Sequence, residues 1–126
     1  MIEQKIYYDL QRYMTEMVYN EQLADKIRTL LQARRKGFSE KKMFGWMAFM
    51  LNGNMCCGAL RDDLVVRVGP ERHEEALALP HARPMDFTGR KMKGFVYVDP
   101  KGWSDDAALK KWVDTGVGYA SSLPKK

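Results

Sequence analysis

Two short apolar runs in the middle of the chain, Met43 to Leu51 and Met55 to Leu60, are separated only by Asn52-Gly53-Asn54. Asn-Gly between apolar runs is a strong hairpin signal, because a two-residue turn needs backbone in the left-handed region, where these residues go at least cost. The first run is too short and too punctuated by Gly45 for a stable helix, so it reads as a strand. After Arg61-Asp62-Asp63 a third run, Leu64 to Val68, carries the β-branched stretch Val65-Val66-Arg67-Val68. The centre of the chain is thus predicted to be a three-stranded antiparallel meander.

Helical patterns flank the meander. Ile6, Leu10, Met14 and Met17, with Tyr7 and Tyr13 nearby, predict an amphipathic helix from Ile2 to Val18 that docks or dimerises. Asn20 caps a second predicted helix, Glu21 to Arg35, whose apolar face is Leu23, Ile27, Leu30 and Leu31 and whose left-handed stop is Gly37. Gly69-Pro70-Glu71 starts a short helix to Ala78, ended by Pro80. Arg83 to Phe87 and Gly94 to Val98 read as two more strands, separated by Thr88-Gly89-Arg90, with a turn at Asp99-Pro100-Lys101-Gly102. Ser104 is the expected cap of a last helix with Asp105 and Asp106 in its first turn and Leu109, Trp112, Val113, Gly116 and Tyr119 along one face; its tail, from Leu123 to Lys126, is expected to fray. This order predicts an α+β fold in one domain, the expected number for 126 residues.

No apolar stretch approaches the ~20 residues that span a bilayer, and Met1-Ile-Glu-Gln-Lys does not resemble a secretory leader, so a cytosolic protein without membrane contact is expected. Cys56 and Cys57 are adjacent, and neighbours on a strand point to opposite faces; one thiol is expected in the core and the other outside, both reduced, since a bridge between them would be strained. The formal charge of +5 is a modest excess that suits a polyanion without implying one.

Phosphate-cradling, dinucleotide, nucleophile-elbow and zinc-protease motifs are all missing, so no enzyme class has motif support and no cofactor is expected. Neither histidine is near the cysteine pair in sequence, which argues against a metal site, and His73 is expected at the surface. His81 and Arg83 flank a loop entering a strand and together suit an anionic group, although Pro80 and Pro84 explain the same segment as a stiffened loop. Arg34, Arg35, Lys36, Lys41 and Lys42, followed by Phe44 and Trp46, have the basic and aromatic interleaving of single-strand nucleic-acid binders, or else form a solvated loop. Met43, Phe44, Trp46 and Met47 are expected to rim a protein-binding surface, for which the nine methionines provide adaptable contacts. Trp112 is expected in the core.

From Leu23-Ala-Asp-Lys-Ile-Arg-Thr-Leu-Leu31 through Lys42-Met-Phe-Gly-Trp-Met-Ala-Phe-Met-Leu-Asn-Gly-Asn-Met55, the chain resembles the N-terminal domain of the TfoX/Sxy competence-regulator family. The resemblance continues through Asp63-Leu-Val-Val-Arg-Val68 and Arg83-Pro-Met-Asp-Phe-Thr-Gly-Arg-Lys-Met-Lys-Gly-Phe-Val-Tyr-Val98 and covers residues 17–123, leaving 1–16 as an N-terminal helical extension. It implies a two-layer α/β architecture, an antiparallel sheet of about five strands backed by helices, similar to type III secretion chaperones. It also implies a bacterial, non-enzymatic module in transcription regulation, with a protein partner such as the transcription machinery. Family regulators carry a second, helical domain that this sequence does not show. A homodimer through the 1–16 stripe is a further expectation, and direct nucleic-acid binding through residues 34–42 is the alternative.

Overall fold

The computed structural model describes residues 19–34, 37–43, 45–87 and 89–126, apart from the side chains of Met43, Phe87 and Arg90; the predicted first helix therefore lies outside the described residues. Helix α1, Glu21–Gln32, begins where the Asn20 side chain accepts a hydrogen bond from the Leu23 amide at 3.0 Å. It ends three residues before the predicted Arg35, with Ala33 as its C-cap. Gly37 does have a left-handed φ of 103°, but it does not stop the helix: its carbonyl accepts from the Asn52 amide and opens the next strand.

Six strands follow, β1 Phe38–Met43, β2 Trp46–Leu51, β3 Asn54–Leu60, β4 Asp63–Arg67, β5 Ala82–Phe87 and β6 Arg90–Val98. They form one antiparallel sheet in the order β1-β2-β3-β4-β6-β5. The strand beyond the expected five is β1, whose Phe-Ser-Glu-Lys-Lys-Met sequence reads as a basic loop. Asn52 and Gly53 both have positive φ, 51° and 83°, the geometry a two-residue hairpin turn demands. Both sheet edges are guarded against further pairing: β1 carries Glu40, Lys41 and Lys42, and β5 carries Pro84 beside an irregular register.

Between β4 and β5 the chain makes a 3₁₀ turn at Pro70–Arg72 and helix α2, His73–Leu77. After β6 the expected Asp99–Gly102 turn is a short helix, α3, Pro100–Trp103, capped by Asp99 and tied to the β3–β4 turn by Trp103 Nε1 donating to the Asp62 carbonyl at 2.8 Å. Helix α4, Asp106–Ser121, is capped by Asp105, one residue later than Ser104. The tail does not fray: the Lys126 amide donates to the Asn52 carbonyl, and the buried Asn54 side chain donates to the Pro124 carbonyl at 2.8 Å.

All four described helices pack on one side of the sheet. Leu23, Ile27 and Leu31 of α1 and Leu109, Trp112, Val113 and Val117 of α4 meet Phe49, Leu51, Leu64, Val66, Val96 and Val98 in the main core. At typical transfer values, each such side chain fully removed from water contributes about 1.5–3 kcal/mol before chain entropy is charged against it. Both cysteines lie in this core, and neither faces outward. The register explains this: Phe49 pairs with Cys57 and Met50 with Met55, so Cys56 is the extra residue of a β-bulge and the alternation of faces is broken there. The two sulfurs are 3.8 Å apart and unbridged. Gly116 of α4 sits directly over the bulge, where a Cβ would come within 2.3 Å of the Cys56 carbonyl oxygen.

Candidate functional site

The other side of the sheet carries its own apolar cluster, Trp46, Ala48, Leu60, Val65 and Met85, flanked by Met50, Met55, Met92, Phe95 and Tyr97. Every member belongs to a strand; among the described residues no helix contributes to it. The register fixes its shape. Lys41, Ala48, Gly58, Val65, Tyr97 and Arg83 are successive partners across all six strands. The small side chains in the middle of this row make it low, and Trp46 fills part of it: a Cβ on Gly58 would meet the indole at 3.1 Å and the Met47 carbonyl at 2.6 Å. Larger side chains flank the row, with Trp46 and Leu60 on one side and Met50, Met55 and Phe95 on the other.

Charge is confined to the margins of this face. Arg83 donates two hydrogen bonds to Asp63, at 2.5 and 3.2 Å, and its guanidinium lies 4.8 Å from the centre of the Tyr97 ring. The bonds to Asp63 raise the Arg83 pKa further, and burial raises that of the Tyr97 hydroxyl. Arg67 sits between Phe95 and Tyr119, 5.5 and 5.3 Å from their ring centres. These flat cation–aromatic stacks hold the rim groups in place while leaving the middle apolar.

The expected protein-binding residues divide between the two sides. Trp46 belongs to the strand face, whereas Met47, its neighbour on β2, packs against the main core. Met43 pairs with Trp46 in register; its side chain and Phe44 lie outside the described residues. The described basic residues, Arg34, Lys41 and Lys42, are not brought together either. Arg34 forms an ion pair with Asp114 of α4, Lys42 lies 5.7 Å from the centre of the Tyr19 ring on the helix side, and Lys41, next to it on the strand, points the opposite way. Arg35 and Lys36 lie outside the described residues. Burial raises the Asp114 pKa, but the bonds from Lys110 and Arg34 outweigh it and leave a net lowering.

His81 adopts a left-handed φ of 69° and its Nδ1 lies 3.4 Å from Asp99 Oδ1. Each half of the expected anion pair thus already faces a carboxylate, Arg83 that of Asp63 and His81 that of Asp99. His73 is half-buried and not simply a surface residue: its Nδ1 accepts from the Gly94 amide at 3.0 Å. The hydrogen bond with Cys56, and then burial, push the Cys57 thiol well up, while the same bond lowers that of Cys56. Among the described residues no three His, Cys, Asp or Glu side chains gather as metal ligands would, and no helix is long and apolar enough to cross a membrane. The alternation that splits Trp46 from Met47 is legible in the sequence; the continuity of the Ala48–Gly58–Val65–Tyr97 row is not, because it depends on four strand registers.

Comparison with curated proteins and with solved structures found no match. The family model of the TfoX N-terminal domain matches residues 29–120, from the second half of α1 to the end of α4, and so spans the whole sheet and both of its faces. The chain therefore belongs to the TfoX N-terminal domain family.

Proposed function

We propose that this chain is a regulatory, protein-binding module and that its partner contacts the strand face around Trp46, Met50, Met55, Phe95 and Tyr97. The observation that carries this reading is the second apolar cluster, built entirely from strand residues on the side of the sheet that no described helix covers. Methionine and aromatic side chains ringed by fixed cations suit an adaptable protein contact better than a small-molecule pocket. Family membership supports a TfoX-like module, and this is not a family of known enzymes. The proposed partner is a protein of the transcription machinery, met in the cytoplasm. Met43, the register partner of Trp46, and Phe44 are proposed to extend the contact at the β1–β2 hairpin, whereas Met47, packed on the main core, takes no part in it. A tagged full-length chain would be used to capture partners from native lysate, before and after nuclease treatment and at raised salt. A captured protein that survives both treatments is expected. Material lost to nuclease and to salt would overturn this reading in favour of phosphate contacts by residues 34–42, whose affinity falls steeply as counterions are restored.

A further inference from the structure

The helix side of the sheet carries a shallow cavity that the strand-face reading does not use. The chain between α2 and β5, helix α3 and the first half of α4 enclose about 290 Å³ over Trp112. Leu79 stands at its edge, 49% exposed, the one large hydrophobic side chain among the described residues left in water. The volume is at the lower limit of small-molecule sites, ~300–1,000 Å³, and suits a single large apolar side chain better than a cofactor. We infer that this cavity docks an acidic peptide segment of a partner protein, with one leucine or aromatic side chain seated beside Leu79 on Trp112 and its flanking carboxylates held by Lys101 and Lys111.

Charge sets the sign of the occupant. Lys101 of α3 and Lys111 of α4 both line the cavity and are exposed, and no described lining residue is acidic. Neither lysine has a carboxylate partner among the described residues, whereas Lys26 and Lys110 are tied to Asp106 and Asp114. The nearby Asp99 carboxylate faces His81. A phosphate backbone would satisfy the two cations but would leave Leu79 and the apolar floor unused; an acidic segment with an apolar anchor uses both. The floor also offers a donor. Trp112 is only 8% exposed, yet nothing among the described residues accepts from its Nε1–H, and no buried side-chain nitrogen there lacks a partner, so this N–H is open to the surface. Trp103, by contrast, spends its own on the Asp62 carbonyl. An indole N–H beside an apolar cavity suits a peptide carbonyl or carboxylate. The wall is preformed: His81 is held at a φ of 69° with its carbonyl accepting from the Asp99 amide at 3.0 Å, and its Cβ would stand 2.8 Å from a Cβ on Gly102. A fixed wall spares the complex part of the ordering cost of binding. The site does not rest on the strand-face reading, since it lies across the sheet and shares no residue with it.

The test pans a random peptide library against the tagged full-length chain. Enrichment of peptides that join a leucine or aromatic residue to flanking Asp or Glu is expected. A synthetic peptide of that sequence should bind tenfold or more weakly to Leu79→Ser and to Lys101→Glu with Lys111→Glu, exposed positions whose change should leave the circular dichroism and unfolding midpoint in place. No enrichment, or a peptide that binds both variants as well as wild type, would overturn the inference. So would failed enrichment alongside a single-stranded oligonucleotide that binds through the two lysines, which would assign the cations to phosphate. Should either variant fail to fold, wild-type protein is coupled to the peptide with a carbodiimide, which joins a carboxylate to an amine it touches. Coupling at Lys101 or Lys111 is expected, and coupling only at other lysines would overturn the inference.

Discussion

Two glycines one turn-fraction apart on α4 allow a matched pair of substitutions with opposite outcomes. At Gly116 an added Cβ would stand 2.3 Å from the Cys56 carbonyl oxygen and 3.2 Å from its carbon. Carbon and oxygen rest at ~3.3–3.6 Å, so Gly116→Ala requires α4 to retreat by about 1 Å from the bulge. Leu109, Trp112, Val113, Val117 and Ala120 ride on that helix and lose contact with it. A clash this close against backbone falls in the upper part of the ~1–3 kcal/mol range for overpacking, about 2–3 kcal/mol, against which alanine's better helix propensity returns about 1 kcal/mol, for a net loss of about 1–2 kcal/mol. At Gly118 a Cβ meets nothing within 4 Å, so Gly118→Ala keeps only the favourable part and gains about 0.5–1 kcal/mol. The two variants should therefore differ by about 1.5–3 kcal/mol. Urea unfolding reads this directly: with a slope of ~1–3 kcal/mol/M, the midpoints should separate by about 0.5–3 M, Gly116→Ala below wild type and Gly118→Ala above it. Equal midpoints would refute the close packing of α4 on the bulge.

Three other perturbations follow from the geometry. The hydrogen bonds of Arg28 to Glu40, at 2.5 and 2.7 Å, hold the Glu40 carboxyl below its ordinary range. Its folded pKa lies under the unfolded value of about 4.3, so its contribution is complete above that value and is lost as pH falls through the folded pKa; Glu40→Gln should flatten the acid limb of a stability–pH curve, and superimposable limbs would refute the pairing. Both cysteines are fully buried, so native-state alkylation should be slow and should accelerate with unfolding in denaturant, whereas rapid labelling of two thiols in buffer would contradict the bulge. Deleting Pro124 to Lys126 leaves the Asn54 amide without its acceptor at 2% exposure and should cost about 1–3 kcal/mol by thermal or urea unfolding, while an unchanged midpoint would show that the tail is not pinned.

Most of the fold is legible in the sequence because its elements announce themselves locally. Asn20 and the Leu23, Ile27, Leu31 stripe define α1, the Asn52-Gly53 pair forces the β2–β3 hairpin, and Pro70 starts the short helical stretch before β5. Strand β1 escapes this reading for a physical reason. An edge strand has one partner and is kept charged, so Glu40, Lys41 and Lys42 hide its period, with Phe38 packing on the core and Glu40 held by Arg28. The cysteine pair misleads because strict alternation fails at a bulge, which is set by the pairing of β2 with β3 and not by residue type. The site is less legible than the fold. Lys41 and Lys42 look like one basic patch in sequence yet project to opposite sides, and Arg83 looks like an anion ligand yet is held by Asp63, twenty residues away in the chain. Long-range pairing took up Arg34 and Arg83, and strand alternation separated Lys41 from Lys42.

The strand face is tested most directly by a point change on it. Met50→Asp with Phe95→Asp, in full-length tagged protein whose circular dichroism and unfolding midpoint show a retained fold, would be compared with wild type for capture of the same nuclease-resistant protein from lysate. Loss of that protein by a factor of ten or more is the predicted result. Equal capture by the two chains would place the binding surface elsewhere and contradict the assignment.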